Sequence, residues 1–173
     1  AKRLAVVGHS RLGKAAMVAT AFDDRVALGI PLQAGCGGTA PDRSKNPKAE
    51  PVKRINTAFP HWFCATYARY ADAPLDNPVD QHMLISLMAP RAVYIASAQD
   101  DQWADPHGEF LSGKVAGEVY ALFGKTGVGV DAWPAVNQPV GDWIGYHVRT
   151  GKHDVTDYDW EQYLKFSRRH FGL

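Results

Sequence analysis

No stretch of this sequence approaches the roughly 20 consecutive apolar residues needed to cross a bilayer. Its opening, Ala1-Lys2-Arg3-Leu4-Ala5-Val6-Val7-Gly8, holds too short an apolar run for a secretory leader. Charge of one sign is not in excess either, since 19 lysines and arginines stand against 18 aspartates and glutamates, a net charge of +1. Without a basic footprint, neither nucleic acid nor a membrane is expected as partner. Cysteine is scarce: Cys36 and Cys64 are the two present, and their spacing fits no zinc or redox motif. Both are expected as packed free thiols. Repeats and low-complexity tracts are lacking as well. What the chain does have is a 46% apolar fraction in 173 residues, a length that fits one domain.

Short apolar runs alternate with helical periodicity. Leu4–Val7, ending at Gly8, reads as a strand buried on both faces, and Leu12, Ala15, Ala16, Ala19 and Phe22 recur at helical spacing behind it. Val26–Leu32 is a second strand, broken by Gly35-Cys36-Gly37-Gly38 and followed by a polar loop to about Pro51. A helix is expected after Pro60 in the aromatic stretch Phe59–Tyr70, and another at Gln81–Met88. Ala92–Ser97 is a third strand. Asp105-Pro106 predicts a helix start with Asp105 as cap, carrying Phe110, Leu111, Val115, Val119 and Leu122 to Gly124. Trp143–Val148 is a fourth strand, and Thr156–Phe171 a last helix with Trp160, Tyr163, Leu164 and Phe171 inward. This order predicts an α/β fold with a parallel sheet. A chain opening on a strand that should be central leaves a sheet edge uncovered. Residues 1–173 are therefore expected to be the C-terminal part of one catalytic domain.

The first strand–helix junction is Gly8-His9-Ser10-Arg11-Leu12-Gly13-Lys14. A serine on such a turn has an exposed hydroxyl beside the free N–H groups of a helix start, where a developing oxyanion is favoured. The second glycine comes one place later than in Gly-x-Ser-x-Gly, and an ordinary N-cap serine is the competing explanation. A hydroxyl needs a base, and His153, on the loop after the last strand, is the candidate; His147 lies within the strand and reads as a packed histidine. His9 is expected to point away from Ser10. The histidine needs a carboxylate, and the order Ser, acid, His is that of α/β hydrolases. Two positions are open. Gln33 follows the second strand and cannot supply charge; Asp100-Asp101 follows the third, and Asp101 is favoured over Asp100.

These stretches, with Arg54-Ile55-Asn56, Phe59–Cys64, Val79–Met83, Trp103-Ala104-Asp105-Pro106 and Gly151-Lys152-His153-Asp154-Val155, resemble the glucuronoyl esterases of carbohydrate esterase family 15, in particular the bacterial type. The resemblance implies an α/β-hydrolase three-layer α/β/α sandwich whose C-terminal half begins at the nucleophile strand. It implies hydrolysis of the ester between a (4-O-methyl-)glucuronate of xylan and a lignin alcohol, with no metal or cofactor, by a secreted or periplasmic monomer. It further implies that Arg11 directs its guanidinium at the oxyanion and that Lys14, Trp103 and Glu50 bind the sugar. Many family members have a glutamate where Gln33 stands, so dependence on Asp101 is expected here. Fungal members have cysteines where this chain has His9 and Asp154, and a polar contact between those two is expected in place of a disulfide. An acetyl or feruloyl carbohydrate esterase, or a non-catalytic carbohydrate-binding relic, are the competing readings.

Overall fold

The computed structural model describes residues 3–173; Ala1 and Lys2, the first two residues of the expected 1–173 domain, lie outside the described residues. In chain order the main elements are β1 (Ala5–His9), α1 (Arg11–Phe22), β2 (Leu28–Leu32), α2 (Val52–Ala58), α3 (Ala65–Ala68), α4 (Gln81–Ser86), β3 (Ala92–Ala98), α5 (Pro106–Leu122), β4 (Val140–Gly141), β5 (Ile144–Arg149) and α6 (Asp157–Phe171). The sheet order is β1-β2-β3-β5-β4. All pairs are parallel except β4 with β5, a two-residue antiparallel edge that the sequence pattern missed. The sheet is thus mixed, with a parallel body.

Alternating side chains divide the core into two. Val93, Ile95, Ile144, Tyr146 and Val148 point to one face, where they pack with Met17 of α1, Ile85 of α4 and Phe110, Ala116 and Tyr120 of α5. Leu28, Ile30, Leu32, Tyr94 and Ala96 point to the other, against Tyr163 and Phe166 of α6. Helices on both faces make the three-layer α/β/α sandwich. A third cluster, Cys36, Val52 and Ile55 with Phe59, Trp62, Phe63 and Tyr67, packs the long segment between β2 and β3. No helix of the described residues is long and apolar enough to cross a membrane.

Several expectations about faces are corrected. β1 is an edge strand, not one buried on both faces, and Val7 is 45% exposed. On α1 the buried residues are Gly13, Ala16, Met17 and Thr20, while Leu12 and Phe22 are 61% and 73% exposed. The reason is close approach: a Cβ on Gly29 of β2 would lie 2.7 Å from Thr20 Oγ1, so the helix meets the sheet through small side chains. α5 repeats this in part: Phe110 is buried as expected, with Gly108, Glu109, Ser112, Gly113, Ala116 and Tyr120, while Leu111, Val115 and Leu122 are exposed. On α6, Trp160 and Leu164 face outward, and Phe166 takes the inward place beside Tyr163. Instead of one helix, Phe59–Tyr70 forms a short 3-10 turn at Pro60–Trp62 and the single-turn α3. Cys36 and Cys64 are both free, but only Cys36 is buried; Cys64 is exposed.

Candidate functional site

The turn at Ser10 begins in the backbone. β1 runs to His9 and α1 starts at Arg11, so one residue makes the reversal, and Ser10 takes φ 59 and ψ −123, a strained conformation for a residue with a Cβ. The glycines on either side answer to space. A Cβ on Gly8 would meet Leu12 O at 2.0 Å, and one on Gly13 would meet Ala34 Cβ and Gly8 O at 3.0 Å. That second contact explains why the glycine falls three places after the serine: it is where α1 crosses the end of β2. Ser10 N–H donates to Leu32 O at 2.8 Å, and its carbonyl accepts from Gly13 and Lys14. The N–H groups of Arg11 and Leu12, first in the helix, have no acceptor within it. The Ser10 side chain makes no hydrogen bond among the described residues.

β3 and β5 end at the same edge of the sheet as β1, and the loops that follow them meet. His153 Nδ1 lies 2.6 Å from Asp101 Oδ2, with Asp101 nearly buried and the ring half-exposed. The hydrogen bond to Asp101 raises the His153 pKa, and burial opposes it. With Nδ1–H donated to the carboxylate, Nε2 is left as the proton acceptor. Asp100 is exposed, and its backbone N–H bonds to Gly151 O. His147 is a packed histidine as expected, buried between Tyr94 and Asp159.

The His9 ring lies against His153. Its ring centroid is 4.3 Å from that of His153, and burial, then the neighbouring imidazole, lower its pKa. It does not bond directly to Asp154. Gln33 lies between them: Gln33 Oε1 is 3.4 Å from His9 Nε2 and accepts from Asp154 N at 3.0 Å, while Gln33 Nε2 donates to Asp154 O at 3.0 Å. An amide can both accept and donate, which is why a glutamine joins two groups that were expected to meet.

The remaining candidates gather on the α1 side. Lys14 Nζ donates to Ala34 O, and burial lowers its pKa against the pull of Cys36, Glu50 and Glu109. Glu50 is half-buried, its pKa raised by burial and held down by Lys14 and a hydrogen bond from Trp103. The Glu50 N–H also donates to Trp103 O at 2.9 Å, and the indole is half-exposed. Lys14, Glu50 and Trp103 thus form one cluster. Arg11 is exposed and lines an open groove with Lys14, Trp62 and Phe63. Among the described residues no group of three His, Cys, Asp or Glu side chains is placed to hold a metal ion.

Two buried carboxylates make contacts that the sequence pattern did not give them. Asp105 precedes α5 but makes no capping bond; its carboxylate instead accepts from Ser44 and from Asn46 Nδ2 at 3.0 Å, because φ 57 turns it toward the 41–47 loop. Glu109 is wholly buried, accepting from Gly35 N at 3.0 Å, Ser97 Oγ at 2.6 Å and the Thr39 hydroxyl. Burial pushes its pKa up to about 7. Its signal was a carboxylate on the same helical stripe as Gly113, Ala116 and Tyr120.

The geometry offers an imidazole fixed by a carboxylate at the sheet edge where β1 also ends, in a strained serine turn at a helix start. Known proteins with this chain's pattern are esterases. Residues 1–124 match the family model described as glucuronyl esterase, fungi. A carbohydrate esterase from an unknown prokaryotic organism is 52% identical over 169 residues, which cover 98% of this chain and 39% of that protein. A 4-O-methyl-glucuronoyl methylesterase of Neurospora crassa is 36% identical over 128 residues, 71% of this chain and 32% of its own. The solved glucuronoyl esterase from Solibacter usitatus superposes with a TM-score of 0.93 at 49% identity, over 99% of this chain and 43% of that one. The chain therefore spans about two fifths of the length of the proteins it matches most fully.

Proposed function

Because the chain belongs to the glucuronoyl esterase family, we propose that it carries the nucleophile, base and acid of a serine esterase acting on the ester between (4-O-methyl-)glucuronate of xylan and a lignin alcohol. The observation behind the proposal is the 2.6 Å His153–Asp101 bond on the same sheet edge as the strained Ser10 turn. Ser10 Oγ attacks the uronate carbonyl as His153 Nε2 takes its proton, and Arg11 with the first amides of α1 faces the oxyanion. His153 returns the proton to the departing alcohol, leaving an ester on Ser10. Water, deprotonated by the same imidazole, then releases the glucuronate. Lys14, Glu50 and Trp103 offer a cation, a carboxylate and an aromatic face to the sugar.

The reading assigns the nucleophile, base and acid to this one chain and takes the protein to act as a monomer. A cell-wall polymer as substrate goes with a location outside the cytoplasm, secreted or periplasmic. The test compares the intact gene product on a benzyl glucuronate ester and on acetylated or feruloylated xylan. Release of benzyl alcohol, abolished in Ser10→Ala, is expected. Faster release of acetate or ferulate would overturn the substrate assignment, and turnover by Ser10→Ala would overturn the nucleophile.

A further inference from the structure

His153 sits on a segment with no regular structure, between the end of β5 and the start of α6. Segments of this kind are the more mobile parts of a fold, yet a general base must hold its ring within a narrow range of position. Two buried side chains take hold of this backbone. Arg149, the last residue of β5, directs Nη1 to Thr150 O at 2.9 Å and Nη2 to Lys152 O at 3.1 Å and Asp154 O at 2.5 Å. The last two carbonyls flank His153. The fork is itself anchored, since Nε donates to Asp159 Oδ2 at 2.7 Å and both side chains are buried. Asp159 is fixed in turn by His147 and by the N–H and hydroxyl of Thr156. Gln33 also grips Asp154, through its N–H and the same carbonyl that Arg149 holds.

We propose that Arg149 and Gln33 are positioning residues for His153, clamping the backbone on both sides of it so that its ring stays against Asp101. Beyond its anchor on Asp159, Arg149 spends its donors on backbone carbonyls, so in the loop it holds the course of the main chain rather than any side chain. The planar fork is what fits: a lysine has one nitrogen and cannot reach Asp159 and three carbonyls together. Gln33 has the same logic in an amide, because a carboxylate there could accept from Asp154 N but would set an oxygen against Asp154 O.

The inference rests on His153 being the base, and the experiment separates the two. Arg149→Lys and Gln33→Met are assayed in the intact gene product alongside His153→Ala, with folding followed by circular dichroism. Clamp variants are expected to lose about 10–100-fold in kcat with KM within about twofold of the parent. The acid limb of kcat/KM is expected to move to lower pH, because the Asp101 bond that raises the His153 pKa is loosened. The other charged or titratable groups facing His153 are His9, Glu109 and Lys14; Arg149→Lys leaves all three untouched, whereas Gln33→Met also removes the 3.4 Å contact to His9, so kcat is the deciding readout for that variant. Should Arg149→Lys fail to fold, Gln33→Met leaves the buried ion pair intact and decides the matter. Folded clamp variants with kcat and acid limb unchanged, beside an inactive His153→Ala, would overturn the clamp alone. An active His153→Ala would overturn the base assignment itself.

Discussion

Ser10 holds a backbone conformation that its own Cβ resists, and the surrounding contacts keep it there: Leu32 O on its N–H, and Gly8 and Gly13 where any larger residue would collide. Strain of this kind is worth on the order of 1–3 kcal/mol, and glycine is free of it. Ser10→Gly and Ser10→Ala both remove the hydroxyl, but only the first removes the Cβ. The glycine variant is expected to be more stable than the alanine variant by about 1 kcal/mol in denaturant unfolding. Equal stability would mean that the turn is unstrained. Asp101 carries a separate expectation. Asp101→Asn keeps the side-chain shape but loses the charge that stabilises an imidazolium, and a fall in kcat of roughly three to four orders of magnitude is expected. A loss no greater than that of Gln33→Met would move the acid role elsewhere.

Glu109 works between elements rather than at a single point. Its carboxylate joins α5 to Ser97 at the end of β3 and to Gly35 and Thr39 in the turn after β2. Its folded pKa of about 7 lies above the ordinary 4.5, so its contribution to stability is complete below about 4.5 and is lost as pH rises through about 7. Glu109→Gln keeps an oxygen for Gly35 and Thr39 and offers an amide to Ser97 Oγ, without the ionisation. Between roughly pH 5 and pH 8 the variant is expected to gain on the parent, by on the order of 3 kcal/mol at most. Unfolding titrations at both pH values check this, and a gap that does not change with pH would show that Glu109 titrates alike in the folded and the unfolded chain.

Element order was legible because period and punctuation carry it: β1, α1, β3, β5 and α6 all fall where the sequence pattern puts them. The faces of α1 and α5 were not. These helices approach the sheet through Gly13, Ala16, Gly113 and Ala116, and hydrophobicity alone ranks small residues below the leucines and valines that point outward. At the site, chain order made Ser10, Asp101 and His153 the candidates, since each follows a strand, and the structure brings Asp101 and His153 together. Gln33, Glu109 and Arg149 could not be given their contacts. Their partners are backbone groups and residues far along the chain, which leave no local spacing to read.

Across the whole molecule, polarity is uneven. Among the described residues β1 has one neighbour, β2, and Val7 on it and Leu12, Val18 and Phe22 on the helix that follows it are exposed. An open strand edge beside apolar side chains is a surface prone to association. The 173 residues in isolation are expected to self-associate, and light scattering would show it; a monodisperse monomer at tens of micromolar, on the order of the concentrations at which such surfaces aggregate, would count against the reading. The parallel order of the sheet has another consequence. Ser10, Asp101 and His153 follow β1, β3 and β5, and no hairpin joins any two of those strands. Parallel neighbours meet only after long crossovers close, which is the slow part of folding. Helices and even strand pairs can form while the three groups are still apart, so on the proposed mechanism hydrolysis would report the completed topology and is expected to be the last property to return on refolding.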